Sequence, residues 1–138
     1  MSDDLDRFVD AQRDTYAGAL AELKRGRKTS HWMWFVFPQI AGLGHSSTAR
    51  FYAIASVAEA RAYLAHPLLG PRLHECLAAI AALPPTTAEA VFGGIDSIKL
   101  RSSLTLFIAA GGGADFAAAL DRWYGGRPDD ATLGLLGS

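Results

Sequence analysis

Leu5, Phe8, Val9, Gln12, Tyr16, Leu20 and Leu23 recur at spacings of three and four, which places them on one stripe of an amphipathic helix. Gly26 closes that segment. Asp14 and Thr15 allow a break or kink midway, because short polar side chains compete for backbone hydrogen bonds. From His31 to Phe37 the polar alternation vanishes in His-Trp-Met-Trp-Phe-Val-Phe, and Pro38 biases its predecessor toward extended geometry. A helical turn and a short buried strand both fit that run. Ala41-Gly42-Leu43-Gly44-His45-Ser46-Ser47 then reads as a small-residue loop leading to the cap of a helix over Thr48 to Ile54.

Ser56 with Glu59 and Thr86 with Glu89 fit the capping box, in which each partner satisfies an orphaned backbone N–H at a helix start. They predict helices over Val57 to Ala65 and Ala88 to Phe92. Pro67, Gly70 and Pro71 separate the first from a helix over Arg72 to Leu83. Asp96 is placed to cap a helix from Ser97 to Ala109, which Gly111-Gly112-Gly113 stops. Asp115 starts another to Tyr124, and Asp129 caps a last one through Leu136. There is no internal repeat. The pattern predicts a mainly α, compact single domain over residues 1–138, a bundle of about six to eight short helices. A minor β pairing around Trp32 to Phe37 is left open.

Composition agrees with a packed core, since half of the 138 residues are hydrophobic and a fifth charged. Thirteen Lys and Arg against fourteen Asp and Glu leave a net charge of −1, which argues against nucleic acid and an anionic membrane as partners. The distribution is uneven. Leu23 to Ala58 holds no carboxylate, while Lys24, Arg25, Arg27, Lys28 and Arg50 lie within it; acids gather at Asp3, Asp4, Asp6, Asp10 and Asp14 and again from Asp115 onward. Cys76 stands alone, so no intramolecular disulfide can form, and it reads as a small buried hydrophobe. No apolar run approaches the roughly 20 residues of a membrane span. Acidic residues follow Met1 in place of a secretory signal, so a soluble, cytoplasmic protein is expected.

The acid-free basic segment surrounds the aromatic run, and this coincidence defines the candidate site. Trp32, Trp34 and Tyr52 either form core or wall a pocket that stacks a planar ring. Gly42-x-Gly44-x-Ser46-Ser47 ahead of a helix is either a plain turn with an N-cap or an anion cradle. In the second case Lys28, His45, Ser46 and Arg50 hold an anionic group. His31 and His45 are the candidate catalytic residues, because imidazole titrates near neutrality beside an apolar run. His66 and His74 read as structural, as does Lys99, a solvated side chain one turn from Ser103. No His, Cys, Asp or Glu cluster has the spacing of a zinc or calcium site, so no metal or other cofactor is called for. The expected ligand is an anionic, nucleotide-like small molecule. A noncatalytic interaction domain whose basic segment docks a protein partner is the alternative.

Several motifs carry a family resemblance: Phe8-x-x-Ala11-Gln12, Gly26-x-Lys28-x-Ser30-His31-Trp32-Met33-Trp34 running to Phe37-Pro38-Gln39, and Gly42-Leu43-Gly44. Tyr52-Ala53-Ile54, His66-Pro67-x-Leu69-Gly70 and Lys99-Leu100-x-Ser102-Ser103-x-Thr105-x-Phe107 complete the set. On these the chain resembles, over nearly its whole length, the bacterial family termed domain of unknown function 1810. The resemblance implies a mainly helical fold and assigns no catalytic residue. Leu104 stands where the family suggests methionine, and Gly94-Ile95 replaces a more polar turn. Members are sometimes labelled calpastatin, but that inhibitor is a long polar disordered chain, whereas this one is apolar enough to build a core. The Phe8 element is also similar to that of the YbiA-type N-glycosidases acting on NAD- and ADP-ribose-linked compounds, with too few residues shared to transfer roles.

Overall fold

A computed structural model describes residues 5–137, and Asp3 and Asp4 of the acidic amino-terminal group lie outside the described residues. The described residues form ten helices, more than the six to eight expected, because the short segments each nucleate their own turn. α1 (Asp6–Arg13) and α2 (Tyr16–Arg25) are separated at Asp14 and Thr15, where the chain breaks as its polar pair allows. Gly26 ends α2 at φ 76°, a left-handed conformation that glycine adopts without a Cβ penalty, and its N–H bonds back to Glu22 and Leu23.

α3 (Met33–Val36) is one helical turn, which settles the conformation of the aromatic run. The β pairing falls just after it: Ile40 bridges Ile54 in parallel, with Ile54 N–H donating to Gln39 O at 2.8 Å and Ala41 N–H to Ile54 O at 2.8 Å. These bonds close the base of the glycine loop and of α4 (Ser47–Phe51), which is shorter than the pattern suggests. α5 (Val57–Ala65) is capped by Ser56 Oγ, which accepts from Glu59 N–H. Its partner Glu59 accepts from Ala55 N–H.

α6 (Leu69–Ala81) begins three residues before the expected start. Pro71 sits in its first turn, where a backbone N–H is not needed. His66 Nδ1 accepts from the N–H groups of Leu68 and Leu69, so this histidine caps the corner. Gly70 is required there, since a Cβ would lie 2.1 Å from Leu64 O. α7 (Ala88–Phe92) is capped by Thr87, not Thr86.

α8 (Gly94–Ala109) also begins early, so Asp96 lies inside its first turn and is not its cap. Leu100, Leu104, Leu106 and Phe107 are buried on α8, which packs against α5, α7, α9 (Ala114–Tyr124) and α10 (Asp130–Gly137). Surrounded this way, it shows no single apolar stripe. Asp129 caps α10 as expected, accepting from Thr132 N–H at 3.0 Å. The core gathers Phe8, Trp32, Phe37, Tyr63, Phe107 and Phe116, all fully buried. Cys76 is buried with them, and burial pushes its thiol up to about 12, which keeps it unreactive. No described helix is long and apolar enough to cross a membrane.

Candidate functional site

The turn α3 sends its two tryptophans into different surroundings. Trp32 is fully buried and donates its indole N–H to Glu22 Oε1 at 2.9 Å. Glu22 also accepts from the N–H groups of Thr29 (2.8 Å) and Ser30 (3.0 Å) and from the Ser30 hydroxyl. Burial alone would raise the Glu22 pKa, but the donors of Ser30, Thr29 and Trp32 outweigh it and hold the carboxyl at about 2.

Trp34 is half-buried, and the Lys99 ammonium lies 4.0 Å from its ring centroid. Lys99 Nζ is 3.2 Å from Asp96 Oδ1, and Lys28 Nζ is 2.7 Å from Asp96 Oδ2. One carboxylate therefore bridges two ammonium groups. Burial works to raise the Asp96 pKa, and the two lysines, Lys28 foremost, bring it below the ordinary value. Lys28 Nζ also donates to Ser30 O at 2.6 Å, linking this cluster to the Glu22 knot. Lys99 is thus an engaged side chain, contrary to the solvated one expected.

A recess of about 310 Å³ opens between Trp34, Leu43 and Gly44 on one side and Ile95, Ile98 and Lys99 of α8 on the other. Gln39, Ser102 and Asp129 also line it. Glycine is needed at position 44, where a Cβ would lie 2.7 Å from the Ala49 methyl and 3.6 Å from the Trp34 ring. Gln39 is 8% exposed, and its Nε2 has no hydrogen-bond partner. A buried amide left unpaired is costly, and a ligand that supplies the missing partner recovers the cost. The Ser102 hydroxyl shares its one proton between Ile98 O and Asp129 Oδ2, each 3.2 Å from Oγ.

A second recess of about 420 Å³ adjoins the first at Ile95 and Lys99, and His31, Gly93, Gly94 and Asp96 line it. It lies at the start of α8, which has no side-chain cap. The first N–H of that helix to find a backbone acceptor is that of Ser97, on Gly93 O, so those of Gly94, Ile95 and Asp96 have none among the described residues. Such a helix start attracts negative charge.

Of the residues singled out by sequence, the structure brings Lys28, His31 and Trp34 together around Asp96 and Lys99. Trp32 is core. Ser46 Oγ accepts from Ala49 N–H at 3.1 Å, so the glycine loop is a turn with an N-cap ahead of a five-residue helix. His45 and Arg50 are exposed and line neither recess. Tyr52 packs among Phe8, Phe35 and Phe51. Gln39, Asp96 and Lys99 were missed. Gln39 and Lys99 stand in the Pro38-Gln39 and Lys99-Leu100-x-Ser102 motifs, which the fold joins, while Asp96 carries only the signal of a helix cap.

Fold and site together define a small all-helical domain with a lysine-covered indole lining a mainly apolar groove. The chain belongs to the family described as protein of unknown function DUF1810, whose sequence model matches residues 2–136. Among solved structures it is similar to the conserved hypothetical protein Rv1873 from Mycobacterium tuberculosis, at 50% identity over 98% of this chain and 97% of that one, with a TM-score of 0.96. No curated protein matches the chain.

Proposed function

We propose that this domain binds a nucleotide-like small molecule, with its ring in the Trp34 recess and its anionic group beside Lys99, His31 and the start of α8. The observation that carries the reading is Gln39: a nine-tenths buried amide with an unpaired Nε2, in a recess bordered by an indole and an ammonium group. An amide offers both a donor and an acceptor, which suits the polar edge of a heterocycle. At the Asp96 end two ammonium groups face one carboxylate, which suits a phosphate there, while Asp129 at the other wall accepts from Ser102 and Thr132. His31 lines the second recess, and in this reading it exchanges a proton with a ligand held there.

A thermal-shift screen of nucleotides, sugar phosphates, NAD-derived metabolites and inorganic phosphate tests this. A ligand at about 100 times its Kd stabilises by roughly 2.7 kcal/mol, on the order of 10 °C in Tm for a domain of this size. The expected result is a shift for a phosphate-bearing ring compound with the wild type and a His45→Ala, Arg50→Ala double variant, and none with Trp34→Ala. A shift that survives Trp34→Ala sinks the reading. The alternative of a noncatalytic interaction domain draws on Ile95 and Ile98, which are 74% and 63% exposed at the rim of the groove. It gains if nothing in the panel shifts any variant.

A further inference from the structure

We propose a second ligand site in the slot between α6 and α9, one that takes a flat aromatic molecule carrying a single hydroxyl group and is separate from the Trp34 groove. His74, Ala78 and Ala81 follow one another at helical spacing along one face of α6, and Asp115, Ala118 and Arg122 along the facing side of α9. Between them lies a void of about 310 Å³.

Polar contacts peg the two helices together at both ends of this void. At one end His74 Nδ1 meets Asp115 Oδ2 at 2.5 Å. At the other, the Arg122 guanidinium donates to the carbonyls of Ile80 (3.2 Å), Ala81 (2.8 Å), Leu83 (2.7 Å) and Pro84 (3.2 Å). On each helix seven residues separate the pegs, about 10 Å at 1.5 Å per residue, which is the length of two fused rings. Alanine methyl groups are too short to fill the gap and leave an open, apolar-walled groove, from which a planar ligand displaces water. Trp123 adds an aromatic wall.

The pegs also select the polar group of the ligand. In the neutral form of His74, Asp115 draws the imidazole proton to Nδ1 and leaves Nε2 as an acceptor. An O–H donor satisfies it. A carboxylate in that place would face the Asp115 charge, and Arg122 is occupied by backbone carbonyls, so a neutral hydroxyl is the group that fits.

The probe is 2-naphthol, titrated into the intact protein and followed by amide chemical shifts of α6 and α9. Saturable one-site binding is expected, weakened about tenfold in His74→Phe and abolished in Ala118→Leu, which fills the slot. Naphthalene, lacking the hydroxyl, should bind the wild type no better than 2-naphthol binds His74→Phe. Ala78→Leu repeats the filling test from the other helix should Ala118→Leu lose its fold. The Trp34→Ala variant should bind 2-naphthol unchanged. Absence of saturable binding, binding that persists in both filled variants, or loss of binding in Trp34→Ala would each overturn the proposal.

Discussion

Glu22 and Asp96 flank the aromatic turn, and each is held ionised against its own burial by different means. Glu22 takes neutral donors from three neighbouring residues, the exposed Thr29 and Ser30 and the buried Trp32 indole. Asp96 takes two ammonium groups beside a groove, that of the nearly buried Lys28 and that of the more open Lys99, which lies over the half-buried Trp34. Backbone and indole donors are fixed by the fold and cannot leave without unfolding it. Lys99, on a long stem at the groove, can be drawn to another anion. Depressed carboxyl groups alone therefore do not mark a site: the first builds the aromatic turn, and the second leaves charge available to a ligand.

The largest expected effect separates the two. Glu22→Gln keeps the shape but removes the charge and turns an acceptor into a donor facing other donors, so about 3 kcal/mol of stability should be lost. Asp96→Asn leaves the nearly buried Lys28 ammonium without its carboxylate but lets Lys99 turn to water, and should cost about 2 kcal/mol. Urea denaturation compares them, and equal losses would erase the distinction. The pH dependence has a definite sign. The Glu22 pKa falls from 4.5 to about 2 on folding, so its contribution is complete above pH 4.5 and is lost as pH drops from there toward 2. Glu22→Gln should flatten the stability curve in that window more than Asp96→Asn does.

Next in size is Gln39→Met. Replacing an unpaired buried amide by an apolar side chain of similar length should raise stability by about 1 kcal/mol, because no hydrogen bond is given up. The same change should abolish binding of whatever ring compound the groove accepts. A variant that is less stable than wild type would mean that Gln39 has a structural partner, and the case for the recess would fall with it.

Local chemistry made much of the fold legible. Ser56, Gly26, Asp129 and the break at Thr15 act where their side chains or backbone freedom act in any chain, within one turn of themselves. The start of α8 was misread because Asp96 has the composition of a cap, and only Lys28, 68 residues away in sequence, explains its real position. The site was half legible for the same reason. Trp34, His31 and Lys28 announced themselves as aromatic and basic neighbours in sequence. Gln39, Lys99 and Ser102 are unremarkable residue types that matter only because the Ile40–Ile54 bridge and the packing of α8 bring them to one recess. Trp32 and Trp34 are two positions apart and share a residue type, so only the donors and cations around each tell core from groove.

The smallest stability effect carries the sharpest test of that difference. Lys99 contributes a cation–π contact with Trp34 and one arm of the Asp96 pair, each worth about 1 kcal/mol or less at an accessible edge. In Lys99→Met the flexible thioether can lie on the same indole face and recover apolar contact, while Lys28 still neutralises Asp96. Stability should therefore change by less than about 1 kcal/mol. The Asp96 end of the groove, however, loses one of its two ammonium groups. An anionic ligand should bind about tenfold more weakly and with a flatter salt dependence, and its neutral dephosphorylated form should bind as before. Calorimetric titrations at two ionic strengths read both quantities. Unchanged affinity and salt slope for the anion would mean that Lys99 only covers the indole, and Trp34 would then belong with Trp32 as part of the core.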